Sequence, residues 1–473
     1  LSSTDHSTTY VNLAKAVGAS SIIEGDVIFR TLGRVNRLIF QNVGLKKPGR
    51  RNLGYAMYTG SDVAEALSIA ERGASVKNNV SGTGWEDGRN VAIGCSAKGR
   101  VWSRKSGSVP RFVKWCDTLG DKLLDETIRT EDIIRNVLIP KPVNELPDAE
   151  ILNLEWPTEI LRYLEEKVVF TDGAREDSLF SFDLELSDVD RDKHSITFNL
   201  VHAIDGVWAS YAISIGGADL YRITHVSGAQ LRVTVAKIDA LLEDYFQDYP
   251  PLVRFVDLQE LDGNNLIGPQ DPRTFLIDDE RFESWQWPGV DFRKESFWKD
   301  GVKRLDSIQG YVAFHYLDAG FEVVFDDDAS GEAADLICLK EEDDYIRLAL
   351  VHCKFAGGQS AGRRVKDVVE VCSQAVRCAK WNGRFLQLCS HIKNRNETLA
   401  NEGRMDRYIA GAPSELKRLQ KLSRVKVVRT EVLVAQPGLS KATRTAEQTA
   451  VIAAAVTYLK ETIGVDLDFI CSE

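Results

Sequence analysis

Phe325-Asp326-Asp327-Asp328-Ala329-Ser330-Gly331-Glu332-Ala333-Ala334-Asp335-Leu336-Ile337-Cys338-Leu339 is followed at short range by Leu350-Val351-His352-Cys353-Lys354-Phe355. Together these two stretches decide the reading of the last third of the chain. Asp335 enters one apolar strand, and the next apolar strand ends in His352-Cys353-Lys354, with the charged turn 341–344 between them. In an antiparallel hairpin this brings Asp335 close to His352 and Lys354, and the two-residue period of a strand puts His352 and Lys354 on one face. A carboxylate, an imidazole and an ammonium then converge at a sheet edge. Asp326–Asp328 reads as a solvated turn.

Those groups suit metal-assisted hydrolysis of a phosphodiester. Asp335, His352 and the backbone carbonyl of Cys353 would hold one divalent ion, and Lys354 would orient the attacking water or neutralise charge developing on the phosphate. Outward from the hairpin, a helical pattern over 302–318 precedes a strand at 322–325. Strands at 334–339 and 345–355 follow, then a helix over 365–381, a strand at 425–435, a helix at 446–461 and a short strand at 467–470. The order is αβββαβ with an α/β tail.

Asp335 opening a hairpin and Lys354 closing it, within that order, resembles the PD-(D/E)xK nuclease superfamily, the restriction-endonuclease-like fold. The resemblance spans about residues 300–473 and implies a DNA nuclease dependent on Mg²⁺ or Mn²⁺. His352 stands where the family places a glutamate, and imidazole suits softer divalent ions better than Mg²⁺. Three outcomes follow: the site works with histidine, Glu332 or Asp328 supplies the carboxylate, or catalysis is lost. On the next helix Asp367, Glu370 and Gln374 share a face. Gln374 matches a glutamine that lines the site in RecB-type members, but Cys378 stands where those carry tyrosine. Gln309, on the opening helix, is a further group expected near the ion. The resemblance therefore assigns Asp335, His352, Lys354 and Gln374 to the site, with Glu332 in reserve.

The rest of the chain supports a polyanion partner. The formal charge is −11 overall, but residues 1–120 carry 17 Lys/Arg against 9 Asp/Glu, 121–200 carry 9 against 20, and 351–473 carry 20 against 12. Basic ends around an acidic middle are expected where particular surfaces meet DNA. Near the amino terminus Arg100, Arg104, Lys105 and Arg111 interleave with Trp102, Phe112 and Trp115, pairing phosphate contacts with rings that stack on bases. Lys441, after the strand at 425–435, is a further phosphate-contact candidate.

Glycine turns, at Gly82-Thr83-Gly84 among others, divide the first 120 residues into short strands, one of them over 27–32, with helices at 62–72, 109–123 and 126–138. A second run of strands from 179 to 235 reads as a small sandwich. The expected architecture is multidomain α+β. Residues 1–147 form a basic β-rich domain, 148–272 an acidic then sandwich-like spacer, and 273–473 the α/β nuclease-like domain. Trp285, Trp287 and Trp298 read as a packed arm.

Eight cysteines without a CxxC pair point to a reducing, cytoplasmic setting. Cys372, Cys378, Cys389 and His391 follow no zinc spacing. No GxxxxGK[ST] or GxGxxG motif occurs, which excludes a P-loop motor and a dinucleotide fold within the chain. With Leu at position 1 and no motor, the chain resembles the carboxy-terminal portion of bacterial helicase-nucleases of phage defence. A helicase or ATPase, in the same longer chain or as a partner, is then expected. The other class of function is a decayed nuclease fold that binds DNA or assembles a partner.

Overall fold

In a computed structural model of the protein, the described residues are 26–47, 54–61, 76–96, 99–104, 107–133, 141–157, 167–216, 220–268, 277–299, 301–401 and 406–473, with single positions between them. The chain divides into two compact units. One comprises 1–48, 53–143 and 265–271, and the other 49–52, 144–264 and 272–473. The segment expected as a separate spacer thus shares a unit with the last domain.

The first unit is built on strands β1 (Asn36–Lys47), β2 (Gly54–Thr59), β3 (Val76–Glu86), β4 (Arg89–Ser96) and β5 (Arg100–Ser103), antiparallel in the order β2-β1-β3-β4-β5. Helix α1 (Val109–Leu124) follows, with Leu119 turned to a core of Phe29, Leu32, Val43, Val80 and Cys95. Two expectations change here. The strand expected over 27–32 is a 3-10 helix, Asp26–Leu32, because Ile28, Phe29 and Leu32 recur at helical spacing and one coil buries all three. Gly82 and Gly84 lie inside β3 and make no turn. A Cβ on Gly82 would stand 2.4 Å from the Ile39 carbonyl oxygen, beside a register shift in β1, so glycine serves close strand approach there. The helix expected at 62–72 falls largely outside the described residues; of the one expected at 126–138, residues 126–129 form a turn, Thr130–Ile133 is helical, and 134–138 lie outside the described residues.

In the second unit β6 (Ile151–Glu155) leads to an antiparallel meander, β7 (Phe182–Asp190), β8 (Ser195–His202), β9 (Gly206–Ile215) and β10 (Tyr221–Gly228). A four-stranded sheet of 168–171, 176–178, 232–235 and 238–241 accompanies it. The two meet through rings: Phe170 lies edge-on to Phe182, with centroids 5.0 Å apart.

Apart from a separate two-stranded hairpin of 298–299 and 302–303, the chain from residue 282 onward builds one seven-stranded mixed sheet. Its elements are β11 (Phe282–Ser284), α2 (Ile308–Asp318), β12 (Val323–Asp326), β13 (Leu336–Glu341), β14 (Tyr345–Cys353), α3 (Val365–Arg377), α4 (Phe385–Asn401), β15 (Tyr408–Ala410), α5 (Pro413–Leu422), β16 (Val427–Ser440), α6 (Ala446–Ile463) and β17 (Leu467–Ser472). The strand order is β11-β17-β16-β14-β13-β12-β15. β12, β13 and β14 run antiparallel, whereas β16 and β17 join parallel to β14. The expected order αβββαβ is present, with α4, β15 and α5 inserted before its last strand. Leu348–Cys353 is apolar throughout except for His352, as a central strand covered on both faces requires. Ile337, Leu350 and Val434 pack with Val371 of α3 and Ile452 of α6. Leu336, Val351 and Ala435 pack with Val312 of α2 and with Trp287. The tryptophan arm is indeed packed, Trp285 and Trp287 lying beside Tyr311 of α2. Ser307 caps α2 through the Gly310 N–H, and Thr445 with Gln448 forms a capping box at α6. Among the described residues no helix is long and apolar enough to cross a membrane.

Candidate functional site: a carboxylate cluster at the mouth of a hairpin

Leu336 pairs with Val351 in the β13–β14 ladder, so Asp335 stands opposite His352, on the sheet face covered by α3. The Asp335 carboxylate is held at both oxygens. Oδ1 accepts from Gln309 Nε2 at 3.0 Å and Oδ2 from the Cys353 backbone N–H at 2.7 Å. The Cys353 group that touches it is therefore the amide, not the carbonyl. Gln309 Nε2 also donates to Asp328 Oδ2 at 2.9 Å, and its own oxygen accepts the Phe297 N–H at 2.8 Å, which fixes the amide's orientation.

Residues 327–335 form an excursion closed by the Asp327 N–H donating to the Asp335 carbonyl at 3.0 Å. It folds Asp328, Glu332 and Asp335 together, so that one carboxylate oxygen from each lies within 4.8 Å of the others. Gln374, from α3, reaches Glu332 at 3.3 Å. Burial and the Glu332 and Asp328 carboxylates push Asp335 well above the ordinary range. Burial and Asp328 push Glu332 up to about 8. Among the described residues no cation is paired directly with either.

Lys354 continues the same face as His352. Its Nζ lies 2.6 Å from Glu370 Oε1 on α3 and 3.3 Å from Glu295 Oε2. Burial alone would lower the ammonium's pKa, but the two carboxylates outweigh it and the pKa is raised. Burial raises Glu295 in turn, although Lys354 and the Phe355 N–H draw it back. His352 is 1% exposed, its pKa driven down to about 3 by burial and by Arg377. Among the described residues neither of its ring nitrogens has a hydrogen-bond partner.

The excursion is not a solvated turn, as its three aspartates suggest. Asp326 and Asp327 are each 1% exposed. Asp327 accepts from His391 Nε2 at 2.8 Å, Arg395 Nε at 2.9 Å and the Ala333 N–H at 2.7 Å. Arg395 also donates to the carbonyls of Ser330 and of Ala203 in the β8–β9 turn. Gly331, at φ +78°, lies so near that turn that a Cβ would stand 2.4 Å from Ala203 Cα. The sandwich is thus a brace for the carboxylate loop as well as a neighbour of it.

The structure brings together Asp335, Glu332 and Gln374 of the expected site with Asp328, the alternative carboxylate, and places Lys354 on the same sheet face. His352 stands outside the carboxylate cluster. Glu295 reads in the sequence only as part of the aromatic arm; no spacing ties it to a hairpin forty positions later in the fold's order, and packing alone brings it there. Lys441, the further phosphate-contact candidate, donates from Nζ to the Phe282 carbonyl at 2.9 Å. In the first unit Arg104 and Arg111 are exposed, as are Phe112 and Trp102. Arg100 is exposed on β5. Lys105 lies outside the described residues. No protein-family model, curated protein or solved structure matches the chain.

Proposed function

We propose that the chain is a metal-dependent DNA endonuclease of the PD-(D/E)xK kind. The observation that carries this reading is the convergence of Asp328, Glu332 and Asp335 at the mouth of the β13–β14 hairpin, with the Lys354 ammonium on the same sheet face. Three hard oxygen donors fit Mg²⁺ or Mn²⁺, and the raised carboxylates lack only a cation. Asp328, Glu332 and Asp335 would hold the ion, which would supply Lewis-acid polarisation of a phosphoryl oxygen and a more acidic water. Gln309 and the Cys353 N–H keep Asp335 aimed. Gln374 orients Glu332 and leaves its own Oε1 for a further donor. Lys354, held ionised by Glu295 and Glu370, offsets negative charge on the phosphate in the transition state. The exposed arginines and rings of the first unit would grip the DNA backbone and bases.

A second reading rests on His352. A neutral imidazole in the family's carboxylate position also suits a fold that has lost cutting and binds DNA or recruits a helicase. Incubation with supercoiled plasmid and single-stranded DNA, in Mg²⁺ or Mn²⁺, separates the two readings. Metal-dependent cutting that Asp335→Asn abolishes while DNA binding persists supports the nuclease. Binding with no cutting in either metal supports the second reading.

A further inference from the structure

Between the sandwich and helix α4 lies a cavity of about 430 Å³. Its walls include Phe180 and Trp381, whose rings meet edge-on at 5.1 Å, together with His202, His391, Gln387 and Asn394. Among the described residues no aspartate, glutamate, lysine or arginine lines it. That lining disfavours a phosphate, which needs cations, and a cation, which needs carboxylates. His202 and His391 are already bonded to Asp177 and Asp327, so the polar groups a lipid chain would leave without a partner are the amides of Gln387 and Asn394. What fits is a flat, uncharged ring system with hydrogen-bond donors and acceptors on its edge, stacked against aromatics and read by Gln387 and Asn394.

We propose that this cavity binds an unstacked nucleobase. The choice of a nucleobase over another planar heterocycle rests on the nuclease reading. The wall is also part of the brace. His391 lines the cavity and holds Asp327, next in the chain to Asp328, and Ala203 lines it and accepts from Arg395. An occupant would therefore steady the loop that carries the three carboxylates.

The test is photo-crosslinking of the full chain in EDTA, which needs neither the ion nor cutting. One arm uses a single-stranded oligonucleotide carrying 5-iodouracil, and the other 5-iodouridine alone. Adducts are expected on the peptides that contain Phe180, Trp381 or His391. Gln387→Ala with Asn394→Ala, both on exposed positions of α4, should lower their yield roughly tenfold. A higher yield from the oligonucleotide assigns the cavity to a base of the strand, and equal or higher labelling by the free nucleoside assigns it to a nucleotide effector. Adducts confined to other peptides, or a yield indifferent to the double substitution, overturn the proposal. Labelling without metal-dependent cutting would sink the nuclease reading and leave the cavity standing, while cutting without labelling would do the reverse.

Discussion

Asp327 and Asp335 bound the same short excursion and are equally buried, yet their surroundings drive them in opposite directions. Burial would raise Asp327, but His391 and Arg395 overcome it and hold the carboxyl at about 2. Asp335 meets only dipoles, Gln309 and the Cys353 N–H, while its charged neighbours are Glu332 and Asp328, so it is pushed well up. A buried carboxylate with its full complement of cations belongs to the framework. One whose charged neighbours are other carboxylates gains a favourable partner only when a cation arrives.

The comparison is broken most easily at Asp327. Asp327→Ala leaves the Arg395 guanidinium buried without its counter-charge and should cost about 3–5 kcal/mol, read as a fall of several degrees in Tm. Asp335→Asn removes like-charge repulsion but turns one of the two accepting oxygens into an NH2 that faces a donor, so its metal-free Tm should fall by less than that of Asp327→Ala. It should also lower cutting by about 100-fold or more. Equal losses of stability in both variants would mean that the two carboxylates are alike and that the contrast is mistaken.

The next effect concerns pH. Asp327, depressed in the fold, contributes stability above the ordinary carboxylate range and loses it only as pH falls toward about 2. Glu332 is raised to about 8, so its contribution is full below the ordinary carboxylate range and is lost as pH rises through about 8. A divalent ion must displace that proton. Its apparent affinity should therefore tighten by up to about tenfold per pH unit between 6 and 8, with protons released on binding. Mn²⁺ titrations followed by Tm at pH 6, 7 and 8 measure this, and a flat profile would remove Glu332 from the ion's ligands.

Much of this is legible in the sequence. Asp335, Lys354 and the helix order declare themselves because strand periodicity and continuous apolar runs are local signals. Glu332 and Asp328 are readable as candidates, but not the difference between Asp326, Asp327 and Asp328. That difference depends on His391 and Arg395, one α4 turn apart and some sixty residues downstream, on a helix whose mixed polarity hides it. The Lys441 contact is hidden for the same kind of reason: the Phe282 carbonyl that its ammonium meets belongs to a strand some 160 residues earlier in the chain. The sandwich reads as a spacer because its contribution to the loop is made by backbone carbonyls and close packing, which leave no motif.

A smaller effect lies at the brace itself. Gly331→Ala adds a Cβ against Ala203 at a positive φ and should cost about 2 kcal/mol, with a matching loss of cutting because Glu332 is the next residue. Gly358→Ala, where nothing stands within 4 Å of the new Cβ, should change neither. If both glycines tolerate alanine equally, the sandwich does not brace the loop.

The smallest effect on stability is expected at His352, which extends the comparison to a third kind of buried group. Asp327 has every partner and Asp335 lacks only a cation, whereas both nitrogens of His352 have none. Replacing a satisfied buried group strands its partners, but replacing an orphan strands nothing. His352→Leu should therefore shift stability by less than about 1 kcal/mol, toward stabilisation, as measured by urea unfolding without metal. The same variant then asks what the imidazole is for. If it joins the ion's ligands, its loss in His352→Leu should weaken Mn²⁺ more than Mg²⁺, since nitrogen favours the softer ion. If both ions bind as before, the imidazole is only wall, and the three carboxylates suffice as the protein's ligands.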